Sequence, residues 1–346
     1  MMKKVVVIGH MDWQGNNMIG AVVKARNIYE KLQDEFEKKN LGYVDIYNWK
    51  KKKIMILSSI VAAFAKYHNI VLVCSDASRM LMRLFTILKH IFHNNIHYCV
   101  VGGDIAEKLE QSQEQIKALK CIDSFFVETR DCVDELNKIG INNVELLRNF
   151  KCIEPLEKEQ IKPYKDTIFR FCTFSRVVEE KGIGDAMQAI EEINKNFEKK
   201  QCKLDIYGPI AEEYESEFRK LLKEYPSTKY CGVIDSKQSV EILQNYYCLL
   251  FPTRFQTEGI PGTIVDGFAA ALPVICSDWA RCRQIVTDGV DGLVYPFGSL
   301  SALKEKIKFA VEHEDIVFKL KFGALDSFEL YKPNIAIQPL LRVLRN

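Results

Sequence analysis

The stretch YCLLFPTRFQTEGIPGTIVDGFAAALPVICSD, residues 247–278, decides the fold. It opens on a short apolar run, YCLLF, crosses a loop rich in Pro and Gly, enters a helical pattern near 262–272, and closes on a second strand-like run, PVICSD. Working outward, the same alternation recurs. TIFRFCTFS, CKLDIYG and KYCGVI precede it and GLVYP follows, with helical patterns near 183–197, 212–225, 238–246 and 299–313. In the first half KKVVVIGH, GYVDIYN, NIVLVCS, NIHYCVVGG, CIDSFFVET and NVELLRN read as strands. The segments near 18–38, 52–67, 78–93, 104–119 and 131–139 carry helical periodicity. Strands alternating with helices imply parallel sheets covered on both faces.

CIEPLEKEQIKPYKD, residues 152–166, is polar and carries two prolines, so it reads as a linker. The sequence therefore predicts an α/β chain of two Rossmann-like, doubly wound parallel-sheet domains, 1–163 and 164–330, facing across a cleft. A last helix within 334–346 is expected to pack back on the first domain. The length of 346 residues accommodates two such cores, and 47% hydrophobic with 27% charged residues is the balance of a globular chain. The longest mostly apolar run, IMILSSIVAAFA at 54–65, is too short to span a bilayer. The N-terminus MMKKVVVIGH reads as a buried strand and not as a secretory signal. Eleven scattered cysteines, none spaced C-x-x-C, point to reduced thiols and a cytoplasmic setting.

In open α/β sheets ligands bind beyond the carboxyl ends of the strands, so chemistry is sought in those loops. In the decisive stretch Glu258 lies in a strand-to-helix loop. Pro261 suits a first helical position, and Gly262, Thr263 and Ile264 are expected to offer free amides at the positive end of a helix dipole, a phosphate site. Asp266 follows about one turn further in. Two carboxylates flanking a phosphate site suit a hydroxylated ring at each end of a diphosphate, as in a nucleotide sugar. A helix with acidic residues near its start is the plainer alternative. FCTFSRVVEEKGIGDAMQAI has the same construction, with Arg176 and Lys181 before a helix that opens near Gly182; a planar guanidinium and a compact ammonium both suit phosphate oxygens.

The pattern S-R-x-x-x-x-K-G at Ser175–Gly182, then E-G-x-x-G-x-x-x-D at Glu258–Asp266, then ALPVICSD, resembles family 4 of the retaining GT-B glycosyltransferases. LDIYGPI at 204–210, YCGVI at 230–234 and DGVDGLVYP at 288–296 extend the resemblance over nearly all of the second domain. The first domain looks like the bacterial branch that builds capsular and other surface polysaccharides. The resemblance implies a GT-B fold and transfer from a nucleotide diphosphate sugar, UDP favoured over GDP, to a glycan, lipid-linked in this reading, with retention. It implies that Arg176 and Lys181 bind the diphosphate, Glu258 the transferred sugar and Asp266 the ribose. Backbone amides around Ile260 to Thr263, where Pro261 and Gly262 shape the turn, would hold sugar and phosphate. Gly208, Pro209, Val233 and Gly20 would complete the donor surroundings. Asp266 departs from the family's usual Glu by one methylene, and Gln284 stands where the family often has Glu. A GT-B-shaped binding or scaffold subunit without turnover remains the alternative.

There is no D-x-D triplet, and Arg176, Lys181 and a helix dipole suffice to neutralise a leaving diphosphate, so no metal and no cofactor is expected. On the acceptor side His10, Gly102, Gly103 and Asp104 lie at carboxyl edges; Asp104 is equally a good N-cap, and His10 equally a structural histidine. Lys50–Lys53, Lys66, Arg79, Arg83 and Lys89 face only Asp76 between residues 50 and 100. Within RMLMRLFTILKHIF, Met80, Leu81, Leu84, Phe85, Leu88, Ile91 and Phe92 form an expected buried stripe opposite Arg79, Arg83, Thr86 and His90. Residues 50–53 and 79–93 are thus a candidate contact with anionic membrane, at the inner face of the cell membrane. No aromatic-interleaved basic motif points to nucleic acid.

Overall fold

A computed structural model describes residues 4–13, 15, 20–74, 81–110, 116, 117, 119–195, 197 and 201–345. The chain forms two compact units, Met1–Cys152 with Tyr331–Asn346, and Ile153–Leu330.

The β-branched runs of the first unit form β1 (Val5–Gly9), β2 (Leu41–Asp45), β3 (Asn69–Cys74), β4 (Asn95–Val100), β5 (Ser124–Val127) and β6 (Val144–Leu146). They pair in parallel in the order β2-β1-β3-β4-β5-β6. The two-residue pleat divides β1 between two cores. Val5 and Val7 join Ile28 and Leu32 of the helix Gly20–Glu35, with Leu340, Leu341 and Leu344 of the helix Gln338–Arg345. Val6 and Ile8 face the other way, toward Ile56, Ile60 and Phe85. The helix Gln338–Arg345 therefore belongs to the first unit, where Arg342 pairs with Glu145 at 3.0 Å and Arg345 with Glu35 at 2.5 Å.

The second unit repeats the plan with β7 (Ile168–Phe174), β8 (Gln201–Tyr207), β9 (Thr228–Gly232), β10 (Cys248–Phe251), β11 (Val274–Ser277) and β12 (Gly292–Tyr295). Their order is β12-β11-β10-β7-β8-β9, again all parallel. The chain winds outward from β7 through β8 to β9, then returns to the opposite side at β10. The order thus reverses between β7 and β10, the crevice where doubly wound sheets take ligands.

Three features differ from the sequence reading. Residues 153–163, assigned there to the first domain, lie in the second unit, because Ile161 is buried with Ala271 and Leu325 and the Leu156 amide donates to the Ala269 carbonyl. The reading leaves 314–330 unassigned, yet Glu314–Phe328 is a helix. It approaches the loop before β12 so closely that a Cβ on Gly323 would stand 1.9 Å from the Val290 carbonyl oxygen. The third is the helix Met82–Phe92, which buries Met82, Phe85 and Leu88 but leaves Ile87, Ile91 and Phe92 exposed. At about 100° per residue Ile91 stands half a turn from Met82, and Phe92 is the last residue before left-handed His93. Arg79, Met80 and Asp76 lie outside the described residues.

Lys321, in the helix Glu314–Phe328, is 6% exposed, and burial pulls its pKa below the usual lysine range, with Cys248 opposing weakly. A lowered amine pKa means that the unfolded chain binds more protons between the folded value and the ordinary one, so stability rises with pH across that window. Lys321→Met is expected to raise stability by about 1–3 kcal/mol. It should also flatten the alkaline rise, both read from urea denaturation at a series of pH values.

All eleven cysteines are free thiols. Among the described residues no helix is long and apolar enough to cross a membrane.

Candidate active site

Two loops at the carboxyl edge of the second sheet meet across the β7–β10 crevice. The loop after β7 passes through a turn of 3-10 helix, Glu179–Lys181, to Gly182, which caps the helix Ile183–Asn194. The loop after β10 carries Thr253, Arg254 and Glu258 to the helix Gly262–Ala269. Gly182 is required: at φ +65° it presses so near Pro252 that a Cβ would lie 1.9 Å from the Pro252 carbonyl oxygen. Gly208, beyond β8, has φ +134°, and a Cβ there would stand 1.9 Å from the Ser175 carbonyl oxygen. These two glycines bring the loops after β7, β8 and β10 together. The Val177 amide donates to the Pro209 carbonyl at 2.9 Å, and the Ala211 amide returns to Val177 at 3.0 Å.

Lys181 Nζ donates directly to Glu258 Oε1. The ammonium also sits 5.3 Å from the Phe251 ring centroid, a cation–π contact. Lys181 is 22% and Glu258 12% exposed, so the pair is partly desolvated yet reachable from outside. Thr253, fully buried, donates to Glu258 Oε1 at 3.1 Å and accepts from the Phe255 amide at 3.1 Å. Arg254 clamps Asp185 in a two-pronged bond, 2.8 and 2.6 Å, and its amide donates to the Glu180 carbonyl at 2.8 Å. Arg176 is exposed at the mouth of the same loop, and its guanidinium has no partner among the described residues.

The helix start differs in detail from the expectation. Pro261 is the extended N-cap, with ψ 123°, and not the first helical residue. Ile264 is not a free donor, since its amide bonds the Pro261 carbonyl at 3.0 Å. The amides of Gly262 and Thr263 make no such bond among the described residues, and the Thr263 hydroxyl donates to the Phe174 carbonyl, tying the helix to the end of β7. Ile260 is buried beside them. Asp266 stands apart from its expected place at a ribose: its side chain is fully buried, and Oδ1 accepts from the equally buried Ser239 Oγ at 2.9 Å. The helix Gly262–Ala269 buries Ile264 to Ala269 without a gap, so a carboxylate at its fifth position points into protein. Val233, after β9, is 50% exposed, whereas Gln284 belongs to the short turn Cys282–Gln284.

The sequence reading missed Thr253, Ser239 and the Arg254–Asp185 clamp. Only the polar run PTR directly after YCLLF hinted at the first and third.

In the first unit His10 follows β1, edge-on to Tyr47 at 6.5 Å. Burial lowers its pKa, with Asp45 opposing. Asp45 also accepts from the Met11 and Asp12 amides, each at 2.9 Å. Gly102 has φ +97°, Gly103 accepts from Cys132 Sγ, and Asp104 precedes the helix Ile105–Glu110 and pairs with Lys108 at 2.5 Å. A buried ion pair unforeseen from sequence lies at the ends of β4 and β5: Lys24 Nζ meets Glu128 Oε1 at 2.7 Å and the Val100 carbonyl at 2.6 Å. Gly20 opens the helix Gly20–Glu35 with nothing within 4 Å of a Cβ built on it. The rest of its loop, residues 16–19, lies outside the described residues.

This fold and loop pair define a class. The chain superposes over 99% of its length, and 99% of the other chain, on Anabaena Alr3699/HepE in complex with UDP and glucose, with a TM-score of 0.75 at 13% identity. Sucrose-phosphate synthase of Thermosynechococcus elongatus matches over the same shares with a TM-score of 0.74 at 15% identity. At such identities the likeness speaks for the fold, and that fold is GT-B. Residues 168–313, which hold all the loops of the second-unit site, match the family model described as Glycosyl transferases group 1. Among curated proteins, the N,N'-diacetylbacillosaminyl-diphospho-undecaprenol alpha-1,3-N-acetylgalactosaminyltransferase of Campylobacter jejuni is 30% identical over 111 residues. That match covers 31% of this chain and only 29% of the relative's length.

Proposed function

We propose that the chain is a hexosyltransferase of the retaining GT-B kind. It moves a sugar from a nucleoside diphosphate donor, UDP preferred to GDP, to a hydroxyl of a lipid-linked glycan in the assembly of a surface polysaccharide. The observation that carries the reading is the Lys181–Glu258 contact across the β7–β10 crevice, inside the region that matches the group 1 glycosyltransferase model. The bound UDP and glucose of the Anabaena protein support the donor class, and the undecaprenol-linked acceptor in the Campylobacter relative's name supports the acceptor class.

In this reading the bond from the anomeric carbon to the donor phosphate oxygen breaks, and its electron pair leaves with the diphosphate. Arg176, Lys181 and the amides of Gly262 and Thr263 offset that charge. No metal is needed, because cations of the chain stand where charge develops. The acceptor oxygen bonds the anomeric carbon from the departing face and passes its proton to a phosphate oxygen. Glu258, its Oε1 already fixed by Lys181 and Thr253, accepts sugar hydroxyls and stabilises positive charge on the ring. Asp266 acts at one remove, through the hydrogen bond its Oδ1 accepts from Ser239. His10, Gly102, Gly103 and Asp104 line the acceptor side, and the protein works at the cytoplasmic face of the membrane.

The test is a transfer assay with UDP-glucose, UDP-galactose, their N-acetylhexosamine counterparts and GDP-mannose against polyprenyl diphosphate-linked saccharides, with the product's anomeric configuration read by NMR. One UDP-sugar is expected to yield a product of unchanged configuration. An inverted product would remove the retaining assignment. Binding of UDP with no transfer to any acceptor would leave a scaffold subunit in its place.

A further inference from the structure

The first unit carries an apolar face that sugar transfer does not use. The helix Lys53–Lys66 turns Ile56, Ile60, Ala63 and Phe64 inward, yet Ile54, Met55, Leu57 and Val61 face water, Ile54 at 86% exposure. The helix Met82–Phe92 lies beside it, with Phe85 stacked on Phe64 at 6.0 Å between ring centroids and 12° between planes. It adds exposed Ile87, Ile91 and Phe92. Single exposed apolar residues are ordinary, but seven on two adjoining helices mark a surface that something covers.

The surrounding charge says what. Lys50, Lys52, Lys53, Lys66 and Arg83 are exposed or nearly so, and residues 46–74 and 81–103 contain no Asp or Glu. Lys89 pairs with Asp123 at 2.5 Å, and the Lys66 ammonium lies 5.0 Å from the Tyr67 ring centroid. Two copies docked through this face would bring like-charged rims together, because a two-fold interface sets the same patch against itself. An anionic bilayer answers both features, since apolar side chains enter the boundary between headgroups and acyl chains while lysines meet negative headgroups.

We propose that the exposed face of helices Lys53–Lys66 and Met82–Phe92, with the lysines that precede it, docks the protein on an anionic lipid bilayer. The apolar side chains insert, and Lys50–Lys53 supply the attraction that selects negative lipid. The assignment goes beyond the transfer reading and does not depend on it.

Flotation of the full chain with vesicles, without nucleotide or acceptor, tests it. The wild-type protein should float with vesicles that contain phosphatidylglycerol and remain behind with phosphatidylcholine alone. Substituting serine together at Ile54, Met55, Ile87 and Ile91, all exposed, should lower the partition roughly tenfold or more even at low salt. Substituting glutamine at Lys50–Lys53 should lower it comparably and remove most of its salt dependence. Circular dichroism establishes that each variant is folded. Absence of wild-type flotation, or flotation of the serine variant equal to wild type, overturns the proposal. So does a wild-type dimer in sedimentation velocity that the serine variant converts to monomer, because a second copy would then own the face.

Discussion

Glu258→Gln is expected to lower the rate of sugar transfer by two to three orders of magnitude, on the order of 3–4 kcal/mol of transition-state stabilisation, while UDP affinity changes by less than about threefold. The amide keeps the shape of the side chain and can still accept from Thr253 and Lys181, so the fold has little reason to change. What it loses is the negative charge opposite a ring that becomes positive as the diphosphate departs. Lys181→Ala divides the effect differently. It removes a cation proposed for the diphosphate, and it leaves Glu258, 12% exposed, without its ion-pair partner. Both nucleotide affinity and turnover should therefore fall. Steady-state kinetics with calorimetric UDP binding separates the two variants, and equal losses of affinity and rate for Glu258→Gln would move that carboxylate away from the sugar.

Gly182→Ala should be among the most damaging single methyl groups in the second unit, with Gly208 and Gly323 equally crowded. The residue stands at φ +65°, and the added carbon would fall 1.9 Å from the Pro252 carbonyl oxygen, a backbone atom with no rotamer by which to retreat. Relief requires parting the loops after β7 and β10, which breaks the Lys181–Glu258 contact and the Arg254 amide bond to Glu180. A loss of about 3–5 kcal/mol is expected, enough to abolish soluble expression if the chain is marginally stable. Gly232→Ala is the control. Its φ is +84°, but nothing lies within 4 Å of its Cβ, so only the backbone cost of about 1 kcal/mol applies. Chemical denaturation of both variants measures the difference, and equal destabilisation would show that steric closure of the loops is not what holds them.

Much of this architecture was legible because each strand announces itself locally. Runs such as VVVIG and YCLLF are apolar throughout, as strands buried on both faces must be, and the Gly and Pro residues between them mark the turns. Arg176, Lys181, Gly182 and Glu258 were legible for the same reason, since a loop at a carboxyl edge is found once its strand is found. What sequence could not supply were partners distant along the chain. Nothing near Asp266 tells that Ser239 will bury it, and nothing near Arg254 points to Asp185, 69 residues earlier. The exposed side of the helix Met82–Phe92 was misread because its apolar residues nearly encircle it, so periodicity alone does not say which of them face the sheet.

Calorimetric titration of UDP and GDP into the full chain in EDTA, then in Mg²⁺, and into Arg176→Ala, tests the donor site most directly. UDP is expected to bind in EDTA with an affinity Mg²⁺ leaves unchanged, GDP to bind more weakly, and Arg176→Ala to lose roughly tenfold or more, the worth of one charge-assisted contact. UDP that binds only with Mg²⁺, or equally well to Arg176→Ala, would contradict the assignment of the diphosphate to the cations of the β7–β10 crevice.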